Sequence, residues 1–203
     1  MFLAVRSRLV YIALLAAVAA ISVPGVQAAT NPPETTHHHK KKGPTKAQKI
    51  KAAVAAAERS PDLWATANKC ESPSLDDPTA DLVGIRAQMP GLGYPATLSM
   101  MFSVSYWNRT DNMFEPANSS QNVSLGMGTR GVHQGGVDFH FSPPASDAPP
   151  FVVRGTVTFE WTIAGKVVGK VTRNTGHGYA GVGFSVPAGY SAGTCTLTVP
   201  PGG

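Results

Sequence analysis

The sequence predicts an all-β fold, an antiparallel β-sandwich, preceded by a disordered basic tail and a short helix. Three observations lead to this prediction. Beyond residue 81, apolar and polar residues alternate with a period of two in several segments, as in strands with one buried face. Turn-forming residues separate these segments without intervening helical periods. Before residue 60 the composition is instead rich in lysine and alanine.

The first 28 residues have the pattern of a secretory signal peptide. Arg6 and Arg8 precede an apolar run from Leu9 to Ala20, and Val26-Gln27-Ala28 supplies small residues before an expected cut at Ala29. The run is short for a bilayer span of roughly 20 residues, and an uncleaved membrane anchor is the alternative. We expect an exported protein, secreted or envelope-associated, with no integral membrane span after cleavage.

Residues 29–44 are expected to form a disordered basic tether, and residues 45–60 a short helix. Prolines and repelling lysines give the tether no apolar period. Thr45 is expected to cap the helix, alanines with Ile50 and Val54 form its body, and Ser60-Pro61 ends it. Clustered cations in both segments are candidates for an electrostatic anchor on an anionic envelope polymer. They are Lys40, Lys41, Lys42, Lys46, Lys49 and Lys51.

The remaining residues, 61–203, are expected to form a single β-sandwich domain with a slight acidic excess. They contain eight lysines and arginines against ten aspartates and glutamates. The basic character of the chain therefore belongs to its N-terminal part. This distribution argues against nucleic-acid binding by the domain.

The clearest strands are predicted at residues 96–107, 137–141 and 153–163, where the alternation is nearly complete. Weaker strands are expected at 82–87, 122–127, 179–186 and 194–199. Ala164-Gly165-Lys166 is expected to form a tight turn after the third clear strand.

Strand alternation also separates two tryptophans. Trp161 shares a face with Phe159 and Ile163 and is expected to be buried. Trp107 lies on the polar face of its strand and is expected to be at least partly exposed.

The chain has two cysteines, Cys70 and Cys195. Export would place them in an oxidising compartment, and we expect them to form one intramolecular disulfide. Cys70 precedes the first clear strand, so the bond would tie the start of the domain to its last strand. Free thiols or an intermolecular bridge are the alternatives.

Two segments resemble immunoglobulin-like or fibronectin III-like domains. Residues 159–166, with sequence Phe-Glu-Trp-Thr-Ile-Ala-Gly-Lys, and residues 187–197, which include Cys195, look like a middle strand and a closing strand of such domains. The resemblance implies an Ig-like sandwich with a buried tryptophan. It departs from true immunoglobulin domains in its cysteine positions, and Tyr190 lies five residues before Cys195 rather than two. Residues 61–70 and 84–91 are also similar to uncharacterised secreted proteins of high-GC bacteria, which implies no activity.

Aromatic residues around the loop at 108–112 are the candidate ligand surface, because exposed aromatics anchor interfaces. This surface comprises Tyr106, Trp107 and Phe114, and His177 on a glycine-rich loop is a further candidate. A zinc or general-base role for His133, Asp138 and His140 is a weaker hypothesis than an exposed strand face. We expect no cofactor and no metal site.

These observations favour an exported, non-enzymatic β-sandwich module that binds or has a structural role at the cell envelope or outside the cell. Its expected partner is an anionic envelope polymer or a glycan. The first alternative is a carbohydrate-binding module that uses the aromatic surface near Trp107. A small secreted hydrolase is a further alternative, for which Glu160 and Asp138 would have to converge, since no local hydrolase motif is present.

Overall fold

The computed structural model describes residues 43–145 and 147–198, which contain one helix and eight strands. These elements are α1 (Lys46–Glu58), β1 (Trp64–Glu71), β2 (Asp81–Pro90), β3 (Ala96–Asn108), β4 (Met113–Gly128), β5 (Val132–Phe141), β6 (Phe151–Ile163), β7 (Lys166–Asn174) and β8 (Cys195–Leu197). The described strands form an all-β sandwich, which confirms the predicted fold class. The expected signal peptide and most of the tether, including Lys40, Lys41 and Lys42, lie outside the described residues.

Two antiparallel sheets form the sandwich within the described ranges. One sheet has the strand order β1-β2-β5, and the other has the order β4-β3-β6-β7. The short strand β8 pairs with residues 151–153 at the start of β6. The two inner faces meet in one core, whose largest fully buried side chains are Trp161, Phe102, Phe159, Ile85 and Met89.

The alternation that predicted β3 and β6 is also what fills this core. On β3, Leu98 pairs with Trp161 of β6, and Met100 pairs with Phe159. All four side chains are fully buried. The indole nitrogen Nε1 of Trp161 donates a hydrogen bond to the carbonyl of Pro90 at 2.9 Å, so its polar atom is satisfied. The prediction that Trp161 is buried is confirmed.

Helix α1 begins at the expected cap. Thr45 accepts a hydrogen bond from the Gln48 amide, and the Gln48 side chain accepts one from the Thr45 amide, which completes a capping box. The helix buries Val54 and Ala57 in the core. It rests on β7 where Gly169 has no side chain, since a Cβ there would lie 2.5 Å from Val54. No helix among the described residues has the length and apolar character needed to cross a bilayer.

The predicted disulfide is present, and it joins the two sheets. Cys70 and Cys195 are bonded, with 5.4 Å between their Cα atoms. Cys195 lies in β8, near the end of the chain as expected. The expectation that Cys70 precedes the first strand is wrong, because Cys70 belongs to β1.

The sequence pattern did not predict strand β1, because both faces of this strand are covered. Its inner face carries the small residues Ala65 and Ala67, while Thr66 and Asn68 on the other face are buried by a later segment. The Thr66 hydroxyl, for example, donates to the Gly176 carbonyl at 2.9 Å. The alternation in β1 is weak, because alanines are small and because the apolar Trp64 lies on the same face as Thr66 and Asn68.

The covering segment comprises residues 175–194, which we call the β7–β8 connection. The predicted strand at 179–186 is wrong, because this segment is irregular and has positive φ at Gly178, Gly181, Phe184 and Gly189. It follows the free edge of β1 through isolated β-bridges, and the amide of Gly176, for example, donates to the carbonyl of Ala65 at 2.8 Å. The last predicted strand, 194–199, is shorter than expected and ends at Leu197 within the described residues.

Candidate functional site

The polar outer face of the five-stranded sheet holds a groove of about 570 Å³ next to the predicted aromatic surface. Its floor comes from β3 and β6, where Ser103, Ser105, Arg154 and Thr156 alternate with core residues and therefore point away from the core. We call it the Arg154 groove. Its other lining residues are Val104, Phe114, Pro116, Asn118, Ser119 and Ser120.

One wall of the Arg154 groove is formed by a bulge in β4. Ser103 of β3 pairs with Ser120, and Ser105 pairs with Pro116, so three β4 residues lie opposite one β3 residue. Asn118 has a φ of 50° in this bulge, a backbone conformation that asparagine tolerates better than most residues. The bulge places a polar turn, residues 118–120, beside the floor of the groove.

Phe114 and Arg154 lie against each other in the lining of the groove, and Trp107, which is not a lining residue, packs on Phe114. The rings of Trp107 and Phe114 meet edge to face, with 5.1 Å between their centroids. Cζ of Arg154 lies 4.0 Å from the centroid of the Phe114 ring, within the range of a cation–π contact. Trp107 is half-buried, in agreement with the predicted partial exposure.

Among the described residues, no ion pair neutralises the charge of Arg154. No carboxylate of the described residues lies within ion-pair distance of its guanidinium. Its Nε atom is buried and has no hydrogen-bond partner among the described residues. A guanidinium held in this way retains its capacity to bind a carboxylate or phosphate through paired hydrogen bonds.

Tyr106 points to the opposite side of β3 from Trp107 and forms a separate cluster. Its ring stacks on Phe151 with a centroid distance of 5.5 Å, and its hydroxyl donates to Oε2 of Glu115 at 2.7 Å. This hydrogen bond raises the pKa of Tyr106. Hydrogen bonds from Tyr106 and then from Asn108 lower the pKa of Glu115. The four predicted surface residues therefore do not form one patch.

His177 lies exposed on the β7–β8 connection. Among the described residues it makes no hydrogen bond, so nothing joins it to Trp107 or Phe114. Of the predicted lysine anchor, Lys46, Lys49 and Lys51 are exposed on α1. The rest of that anchor lies outside the described residues.

The acidic and histidine candidates are dispersed. Asp138 is ion-paired with Lys69 at 2.7 Å on the outer face of the three-stranded sheet. Glu160 lies 3.5 Å from Lys170 on the other sheet, so the two carboxylates do not converge. His133 and His140 stand on β5 at its two ends. In the described part of the chain no three histidine, cysteine or acidic side chains gather where they could hold a metal ion.

The sequence interpretation missed Arg154 and the serine-rich wall of the groove. The alternation in β6 places Arg154 on its polar face. Its position next to Phe114 of β4 depends on the pairing of β3 with both β4 and β6. The signal for the wall was the run Asn118-Ser119-Ser120, whose residues favour turns and bulges over regular strands.

No protein-family model matches the chain, and no curated protein matches it. Among solved structures, it is similar to a glycosyl hydrolase family 2 member from Bacteroides cellulosilyticus, with 10% identity and a TM-score of 0.32 over 58% of this chain and 15% of that one. It is also similar to a calcium-binding mutant of β-glucuronidase 2 from Bacteroides uniformis, with 13% identity and a TM-score of 0.34 over 57% of this chain and 13% of that one. The chain thus spans a small part of these enzymes, and the likeness supports no statement about activity.

Proposed function

We propose that the chain is an exported, non-enzymatic, Ig-like β-sandwich module that binds an acidic glycan in the Arg154 groove. The observation that carries this proposal is a guanidinium without an ion-pair partner among the described residues, beside the half-buried Phe114 ring and several hydroxyl groups. The groove volume of about 570 Å³ is typical of sites for small ligands, which occupy about 300–1,000 Å³.

A sugar ring offers two kinds of surface, and the groove has a complement for each. The C–H groups of the ring pack against an aromatic side chain such as Phe114, which lines the groove. Its hydroxyls exchange hydrogen bonds with side chains of the kind found at Ser103, Ser105 and Thr156. Arg154 adds a fixed positive charge, which favours a carboxylate-bearing sugar over a neutral one.

Strand order supports the Ig-like part of the proposal. In constant-type immunoglobulin domains, strands A, B, E and D form one sheet and C, F and G form the other. With β1 to β7 lettered in chain order, this chain has A, B and E in one sheet and D, C, F and G in the other. The two arrangements differ in the sheet to which the fourth strand belongs.

The disulfide supports export, because such bonds persist mainly in oxidising compartments. The exposed Lys46, Lys49 and Lys51 support a second role, electrostatic attachment to an anionic envelope polymer. This attachment would hold the module near its ligand without occupying the Arg154 groove.

A glycan array probed with the protein from residue 29 onward tests the proposal. We expect binding to uronic-acid glycans, and we expect Arg154→Gln to weaken it strongly. Arg130→Gln is the matched control, since it removes the same charge from an exposed position near the other end of β4. Equal loss of binding in both variants would show that only net charge matters, and no binding to any acidic glycan would refute the proposal.

A further inference from the structure

The three-stranded sheet carries a cavity of its own on its outer face, independent of the Arg154 groove. It has a volume of about 340 Å³ and lies beside the β7–β8 connection. Its polar lining residues are Asn68, Lys69, Arg86 and Asp138, and the Phe184 ring forms its apolar edge. We call it the Arg86 cavity.

Phe184 is held in a conformation that is unusual for its residue type. Its φ is 56°, in the left-handed region that bulky residues avoid, and 79% of the residue is exposed. The Asn68 side-chain amide fixes the backbone by donating to the carbonyls of Gly183 and Phe184, at 3.3 Å and 2.9 Å. Backbone strain and an exposed large aromatic ring both cost free energy and contribute little to the core. Their combination at a cavity indicates that the ring serves a ligand.

The Phe184 ring lies over the guanidinium of Arg86, with 4.8 Å between Cζ and the ring centroid. Nε of Arg86 is buried and lacks a hydrogen-bond partner among the described residues. None of the described carboxylates lies within ion-pair distance of this guanidinium. Burial lowers the pKa of Arg86, and the Asp138 carboxylate opposes this effect.

The other two charges at the cavity cancel each other. Nζ of Lys69 lies 2.7 Å from Oδ2 of Asp138, so this pair is close to neutral as a unit. The net positive charge of the cavity therefore comes from Arg86. An anionic ligand meets this charge without displacing an internal salt bridge.

Two glycines of the sheet allow polar side chains of the cavity to pack closely on its surface. A Cβ on Gly136 would lie 2.9 Å from Cδ of Arg86, and a Cβ on Gly84 would lie 2.8 Å from Oδ1 of Asp138. Both distances are shorter than real side chains allow. The absence of a side chain at these two positions therefore lets Arg86 and Asp138 lie close against the sheet beside the cavity.

We propose that the Arg86 cavity is a second binding site, which takes a carboxylate group at the edge of the Arg86 guanidinium, beside the ring of Phe184. A guanidinium matches the two oxygens of a carboxylate, and the ring covers the apolar part of the ligand. The volume limits the bound part to about one sugar acid or one amino acid residue. This site does not depend on the proposed function, because it lies on the other sheet.

The test is an NMR titration of the ¹⁵N-labelled protein, in which the Nε–Hε resonance of Arg86 is observed. Glucuronate and N-acetylalanine are the two carboxylate probes and distinguish a sugar acid from a peptide end. Glucose and N-acetylalanine amide are their neutral counterparts, and inorganic phosphate tests for general anion binding. We expect a saturable shift of the Arg86 resonance with at least one carboxylate, at millimolar affinity, and none with the neutral probes.

Variants separate binding from structure. Arg86→Lys keeps the charge but loses the paired hydrogen bonds, and we expect it to weaken carboxylate binding about tenfold. Phe184→Gly removes the ring at a position where glycine adopts the observed φ, so the melting temperature should not fall while binding weakens. Arg130→Gln is the control and should bind as the parent protein does.

Three results would overturn the proposal: no saturable shift of the Arg86 resonance, unchanged carboxylate binding in both Arg86→Lys and Phe184→Gly, or phosphate binding at least as tight as carboxylate binding. A shift at Arg86 without any glycan binding at Arg154 would support this site and refute the proposed function alone. The two claims therefore fail separately.

Discussion

Arg154 lies against the ring of Phe114, with 4.0 Å between its guanidinium carbon and the ring centroid, and the same ring meets Trp107 edge to face. The contact fixes a positive charge on the outer face of the five-stranded sheet without neutralising it. Arg86 and Phe184 repeat the arrangement on the other sheet, at 4.8 Å. Each face of the sandwich thus presents an arginine whose Nε has no partner among the described residues. We interpret both as sites for anionic ligands.

The two tryptophans on β3 and β6 should differ strongly in their contribution to stability. Trp161 is fully buried and hydrogen-bonded, so Trp161→Ala should lower the free energy of unfolding by about 3–5 kcal/mol. Trp107 is half-buried, and Trp107→Ala should cost much less. Urea denaturation of both variants measures the difference. Equal destabilisation would contradict the assignment of Trp107 to the outer face of β3, the face on which the Arg154 groove lies.

Removing the disulfide should destabilise the sandwich, because the bond joins β1 to β8 across 125 positions of sequence. The double substitution of Cys70 and Cys195 by alanine should lower the free energy of unfolding by about 2–5 kcal/mol. Mass spectrometry of non-reduced peptides from exported material should first detect the linked pair. Two alkylatable thiols in that material would contradict the assignment.

Asp81 should make the free energy of unfolding decrease as the pH rises, which is the opposite of the usual effect of a carboxylate. Its carboxylate oxygens are buried without a hydrogen-bond partner among the described residues, and burial raises its pKa above the ordinary 3.8. The Ser72 hydroxyl opposes this shift, but that hydroxyl is already donated to the carbonyl of Thr198 at 2.8 Å. The folded state therefore holds its proton to higher pH than the unfolded chain does. The contribution of Asp81 to the free energy of unfolding therefore falls as the pH rises from the pKa of Asp81 in the unfolded chain through its pKa in the folded protein.

Asp81→Asn should remove this penalty. We expect the free energy of unfolding to rise by about 1–3 kcal/mol at pH 7, where the buried charge is present, and to change little near pH 3. Asp76→Asn, at an exposed position, is the matched control and should change stability little at either pH. A less stable Asp81→Asn protein at pH 7 would mean that the carboxylate has a favourable partner.

How much of this molecule the sequence predicts depends on whether a strand has one buried face or two. Strands β3 and β6 have one, so alternation around Phe102 and Phe159 predicted their limits and their inward faces. Strand β1 has two covered faces, and its polar residues Thr66 and Asn68 are buried by hydrogen bonds to a segment more than 100 positions away. No local pattern encodes such a contact.

The same reason explains the partial prediction of the candidate site. Trp107 and Phe114 flank one loop, so the sequence brings them together. Arg154 and Arg86 reach their aromatic partners through strand pairing and through the β7–β8 connection. Tyr106 was grouped with Trp107 because the two are adjacent, although adjacent residues of a strand point to opposite faces.

Attachment through the helix lysines should be sensitive to salt. Replacing Lys46 and Lys49 by glutamine should weaken cosedimentation with purified cell envelopes, whereas replacing Lys166 and Arg130 by glutamine should not. Raising the salt from about 0.1 M to about 1 M shortens the screening length from about 10 Å to about 3 Å and should release the protein. Retention at the higher salt concentration would locate attachment on the sandwich instead.

Calorimetric titration of a uronic-acid oligosaccharide into the parent protein, Arg154→Gln and Arg130→Gln tests the central claim most directly. Loss of a charged hydrogen-bonding group costs about 1.5–3 kcal/mol, so Arg154→Gln should bind about 10- to 100-fold more weakly than the parent. Arg130→Gln should match the parent protein, and the corresponding neutral oligosaccharide should bind more weakly to all three. Equal affinities of the parent protein and Arg154→Gln for the acidic oligosaccharide would contradict the claim that the Arg154 groove is the ligand site.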